Sequence, residues 1–108
     1  MLYLSKEDFF KKAAVERISR DEEKAYAVRM KNGDIEARSA IVTGYLPFVA
    51  SYLKRTLGNE VSLEAIYRCV GVLEDLVDKF NFLQDSESFV HRLGLQLRNT
   101  LNGYIADR

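Results

Sequence analysis

Residues Asn32–Gly58 read NGDIEARSAIVTGYLPFVASYLKRTLG, and the fold depends on what Gly44 and Pro47 do at the waist of that run. Asp34 can cap a helix that begins near Ile35. Ala37, Ile41, Tyr45, Phe48 and Tyr52 then recur at steps of three and four, with Leu53 widening the stripe, which is the spacing of an amphipathic helix. Pro47 has no N–H to donate to the Thr43 carbonyl, and its ring crowds that carbonyl. Gly44 gives the backbone slack in the same turn. The pattern predicts a helix from Ile35 to about Tyr45, a kink or restart at Pro47, and a second piece to Leu57, where Gly58 and Asn59 end it.

Upstream, Ser5 caps an expected helix over Lys6–Ile18, with Glu7 and Asp8 in its first turn and Phe9, Phe10, Ala13, Ala14 and Ile18 on its apolar side. A second helix is expected over Arg20–Lys31. Ser19 and Glu22 form a capping box, and Ala25, Tyr26 and Met30 are expected to face inward. Asn32 and Gly33 suit the stop that follows. Downstream, Ser62 caps a helix on which Leu63, Ile66, Val70, Leu73, Val77 and Phe80 recur at helical steps, widened by Cys69, Val72 and Leu76. Asp85 or Ser86 can cap a last helix, about Glu87 to Ile105, with Phe89, Leu93, Leu97, Leu101 and Tyr104 inside. Nothing alternates with period two for long enough to be a strand. The expected fold is all-α, a compact bundle of five or six helices in one domain over 1–108, with 1–19 as an N-terminal helical extension.

The chain has 108 residues, 47% apolar and 30% charged, with 16 basic and 16 acidic side chains. That composition is ordinary for a globular domain, and zero net charge argues against a strongly basic nucleic-acid binder. The charge is unevenly placed. Residues 1–57 hold eleven basic and eight acidic side chains, 58–87 two and seven, and 88–108 three and one. The acidic middle suits a partner with a positive face, or else it is ordinary solvated helix. Cys69 is the single cysteine, which fits a reducing, cytoplasmic setting. No apolar run approaches the roughly 18 residues that a membrane span needs.

No catalytic constellation emerges, so a non-enzyme is expected. His91 stands apart from any cysteine, and Cys69 lies on an apolar helix side where a small buried hydrophobe fits better than a nucleophile. Glu74, Asp75 and Asp78 cluster on one helix. A cation there would open an enzyme reading, but no glycine-bearing loop surrounds them. The glycine turns NGD and LGNE match no phosphate-cradling pattern, and no cofactor is expected. Lys11, Lys12, Arg17 and Arg20 can form a basic edge. Arg92, Arg98, Asn99 and Asn102 lie on the last helix. Asparagine can read a base edge and arginine can hold a phosphate. Phe89 and Tyr104 are too far apart on that helix to make a stacking cluster.

In their order, EEKAYAVRMKNGDIEARSAIVTGYLPFVASYLKR, VDKFN and LRNTLNGYIAD resemble region two of the bacterial sigma-seventy family of transcription initiation factors, over about Asp21–Arg108. Gly33–Asp34, Ala37–Arg38, Leu46–Pro47 and Asp78–Phe80 stand at the matching places. The resemblance implies a helical domain whose docking helix, here Glu64–Phe80, meets the β′ subunit of RNA polymerase. It also implies that the last helix, here Phe89–Ile105, faces the −10 promoter element. On that basis Glu64, Arg68, Glu74, Asp75 and Asp78 form the expected protein-binding group, and Arg92, Arg98, Asn99 and Asn102 the DNA-facing group. Two spans depart from the family. EAIYRC stands where the family carries a pattern close to DLIQEG, and FVHRLGLQLR lacks the family's paired tryptophans. The expected function is docking on core polymerase with weak or altered promoter contact. The alternative is a stand-alone regulatory or scaffold module that kept the fold but not transcription initiation.

Overall fold

Helix α3 runs unbroken from Ile35 to Leu57 in a computed structural model that describes residues 2–83 and 88–107. Around it stand α1 (Lys6–Ala13), α2 (Arg20–Lys31), α4 (Leu63–Lys79) and α5 (Phe89–Ala106), with a short 3₁₀ turn at Gly58–Glu60. Among the described residues the fold is an all-α bundle of five helices with no sheet. Each of α1, α2, α4 and α5 packs on α3, and α4 also packs on α1 and α5.

That central position explains where α3 departs from a one-sided stripe. Ala37, Ile41, Tyr45 and Leu53 are buried as expected, but so are Val42, Leu46, Val49, Ala50 and Leu57, while Phe48 and Tyr52 are only half-buried. A helix touched on several sides buries several faces. The expected restart at Pro47 is absent, and the proline lies inside the continuous helix. A proline in a helix interior costs about 3 kcal/mol, and the packing of four helices on α3 holds it together against that cost. Gly58, at φ 55°, ends the helix in a backbone region that favours glycine.

Gly44 has a different task from the one its nearness to Pro47 suggested. The first helix stops at Ala13, and Ile18 lies in the extended stretch that follows. The Ile18 N–H donates to the Gly44 carbonyl at 3.1 Å, and a Cβ built on Gly44 would stand 2.5 Å from the Ile18 Cβ. The glycine is a notch into which the connection between α1 and α2 is pressed.

The caps follow the sequence. Ser5, Ser19, Asp34 and Ser62 each accept a hydrogen bond from a first-turn backbone N–H, and Ser19 and Glu22 complete the capping box. On α2 one expectation fails: Ala25 is exposed and Ala27 is the buried alanine, with Tyr26 and Met30 half-buried. The helix leans on α3 along a line that runs through Tyr26, Ala27 and Met30. Helix α4 buries Ile66, Cys69, Val70, Leu73, Leu76 and Val77 as the periodicity predicts, but Leu63 and Val72 are half-buried, and Phe80, also half-buried, lies just past the helix end; α5 buries Phe89, Leu93, Leu97, Leu101 and Tyr104 as expected. The proposed caps Asp85 and Ser86, and the start at Glu87, lie outside the described residues. The helix begins at Phe89 with Ser88 in the cap position.

Candidate docking and nucleic-acid-facing surfaces

The outward face of α4 carries Glu64, Arg68, Gly71, Asp75 and Asp78. Glu64 and Arg68 pair along the helix at 3.2 Å, and the Arg68 guanidinium lies 5.4 Å from the Tyr104 ring. Nothing stands within 4 Å of a Cβ placed on Gly71, so the middle of this face is open backbone. An exposed mid-helix glycine costs about 0.5–1 kcal/mol relative to alanine, which α4 bears without any contact inside the chain to require it.

The acidic cluster is divided in its duties. Arg38 on α3 grips Asp78 with two parallel bonds, Nε to Oδ1 at 2.6 Å and Nη2 to Oδ2 at 2.9 Å, and also lies 3.9 Å from Glu74. Asp78 and, more loosely, Glu74 are therefore part of a clamp between α3 and α4. Asp75 is exposed and takes part in no ion pair among the described residues. The sequence reading missed Arg38 as the partner because it lies forty residues from Asp78.

The hydrogen bond from Arg38 holds the Asp78 carboxyl below its ordinary value. The clamp thus contributes in full above about pH 4, the unfolded-state range, and its contribution is lost as pH falls through the lowered value. The Asp78 side chain is 51% exposed, so the expected cost of Asp78→Asn is only about 0.5–1 kcal/mol at neutral pH. That cost should shrink as pH falls below about 4 and through the lowered value. Urea midpoints of both chains across the acid range check this; a gap that persists undiminished at low pH would rule out the ionic clamp.

Tyr67, a departure from the family pattern, has a local role. Its hydroxyl accepts from the Tyr3 N–H at 2.8 Å and donates to the Tyr3 carbonyl at 3.0 Å, tying the start of the chain to α4. Cys69 is fully buried, and burial pushes its thiol up to about 12, so it is not a thiolate at neutral pH.

On α5, Arg92, Arg98, Asn99 and Asn102 are all exposed. Two rings of α3 stand beside α5. Tyr52 lines a shallow hollow of about 300 Å³ together with His91, Gly94, Leu95 and Arg98. Phe48 sits 6.4 Å from Tyr52, and arginines lie over both rings, Arg17 on Phe48 at 5.7 Å and Arg55 on Tyr52 at 5.2 Å. Sequence reading placed these two rings in the core, because their spacing matches the buried stripe.

A deeper hollow of about 380 Å³ opens where the entry to α2 meets the start of α5. Phe89 lies against Tyr45 at 4.7 Å, Phe80 at 5.2 Å and Phe82 at 4.9 Å, the last nearly parallel. Arg17, Arg20 and Lys24 stand on the rim. Glu23, the acid among them, accepts the Tyr45 hydroxyl at 2.7 Å. Burial and that bond raise the Tyr45 phenol well above its ordinary value.

Among the described residues, no three His, Cys, Asp or Glu side chains gather closely enough to share a metal ion, and no helix is long and apolar enough to cross a membrane. No protein-family model, curated protein or solved structure matches the chain.

Proposed function

We propose that this chain is a sigma region-two-like domain that docks on the RNA polymerase core through the outward face of α4, with weak or altered contact to −10 promoter DNA. The observation that carries the reading is the α4 face itself. Exposed Glu64 and Asp75 flank open backbone at Gly71, an arrangement that lets a basic helical partner approach closely. The order of the motif fragments from Asp21 onward supports it. Arg98, which shares a hollow with Tyr52, and the exposed Asn99 and Asn102 supply the groups a single strand would meet.

The test is retention of core RNA polymerase on the immobilised chain. Wild type retains it, and Glu64→Lys with Asp75→Lys lowers retention by about tenfold. Both positions are exposed, and neither supplies a hydrogen bond to Arg38. Retention no better than that of an unrelated acidic helical domain would remove the proposal. Gel shifts on single-stranded −10-like DNA at stated salt address the second contact.

One observation favours the scaffold alternative. Asp78 is committed to Arg38, and Glu64 is paired with Arg68, a basic residue inside the acidic face. A module that binds a different protein would show that arrangement together with no retention of polymerase.

A further inference from the structure

We infer that the hollow between the start of α2 and the start of α5 binds a nucleoside di- or triphosphate, its base against Phe82 and its phosphates among Arg17, Arg20 and Lys24. Polymerase docking uses the outward face of α4, and this inference does not rest on it.

Three observations point to that ligand. The floor is aromatic: Phe82 is half-buried and Phe89 is stacked behind it at 4.9 Å with 28° between the planes, so a flat ring laid on Phe82 meets a fixed platform. The rim is cationic and uncommitted: Arg17, Arg20 and Lys24 are exposed, and none is in an ion pair among the described residues, although the chain pairs Lys12, Arg29, Arg38 and Arg68 with acids elsewhere. The Arg17 guanidinium lies 5.7 Å from the centre of the Phe48 ring, a contact that attracts the cation without neutralising it. Among the described lining residues the one carboxylate is Glu23, and it accepts the Tyr45 hydroxyl. The start of α5 adds to the same field. Ser88, Phe89 and Val90 line the hollow, no acid occupies the first turn of α5, and the Ser88 side chain makes no capping bond.

Charge chooses the occupant. Among the described lining residues three cations stand against one carboxylate, a surplus of two that exceeds what a single phosphodiester balances and suits two or three linked phosphates. The volume falls within the range of about 300–1,000 Å³ usual for small-molecule sites. A simple anion would use the rim and leave the platform idle, and a neutral aromatic would do the reverse.

Calorimetric titration of the full chain with ADP and GDP at about 0.1 M salt tests this. Binding near 0.1 mM is expected, with pyrophosphate at least about tenfold weaker. Arg20→Glu with Lys24→Glu should weaken ADP by about tenfold or more. Lys11→Glu with Lys54→Glu, an equal charge change away from the hollow, should leave it unaltered. Phe82→Ala should weaken ADP and leave pyrophosphate unchanged, which separates stacking from a general loss of fold. The inference is overturned if pyrophosphate binds as tightly as ADP, or if the control pair weakens binding equally. It is also overturned if a single-stranded oligonucleotide binds while neither diphosphate does at about 1 mM.

Discussion

Gly44→Ala lowers the stability of the bundle by about 1–3 kcal/mol, although the same change at an exposed helix position gains about 1 kcal/mol. The added methyl would lie 2.5 Å from the Ile18 Cβ and 3.0 Å from its Cγ2. A β-carbon cannot swing aside as the tip of a side chain can, so the backbone at Ile18 has to retreat. The retreat strains the 3.1 Å bond from the Ile18 N–H to the Gly44 carbonyl, a loss of about 0.5–1.5 kcal/mol. Overpacking adds about 1–3 kcal/mol, and together these exceed the gain in propensity. For a chain of this size the melting point should fall by about 5–15 °C. The geometry also sets the pattern of rescue. Ile18→Ala keeps the offending Cβ and should not relieve Gly44→Ala, whereas Ile18→Gly removes it and should cost less beside Gly44→Ala than alone. A double-mutant cycle by urea denaturation measures this coupling. A stabilised Gly44→Ala chain would show that Ile18 is not pressed into the notch.

The same pair of residues shows where sequence reading stops. Ala13, Ala14 and Ile18 continue the helical spacing of α1, and only contact with a distant helix shows that Ile18 lies in an extended stretch. The caps were legible because each is closed by neighbours in the chain, as with Ser19 and Glu22. The buried sides of α4 and α5 were legible because a broad apolar stripe on one side survives in the sequence as periodicity. Helix α3 was not, since packing on several sides leaves no single stripe and gives Phe48 and Tyr52 the spacing of core residues while they sit at its edge. The candidate surfaces divide in the same way. Asp75 and the α5 residues could be named from the chain. The Arg38 clamp, the rings beside Arg98 and the aromatic floor join separate segments, and no local pattern encodes them.

Phe89→Ala should be among the most costly single changes in the molecule, at about 3–5 kcal/mol, a large share of the roughly 5–15 kcal/mol that holds a domain together. Phe89 is 3% exposed and is the ring that Tyr45, Phe80 and Phe82 all meet, so its loss removes three aromatic contacts besides its own burial. It is also the first residue of α5, and its ring fixes where that helix starts against α3. Phe82 has similar chemistry but a different position. It is half-buried, lies after the end of α4 and contacts the rings of Phe80 and Phe89. Phe82→Ala should therefore cost only about 1–2 kcal/mol. The gap between the two, read as a difference in urea midpoint at unchanged slope, measures how far the bundle depends on the base of the aromatic floor rather than its exposed tread. If Phe89→Ala costs no more than Phe82→Ala, then the floor is not a fixed platform, and the start of α5 is held by Leu93, Leu97 and Leu101 alone.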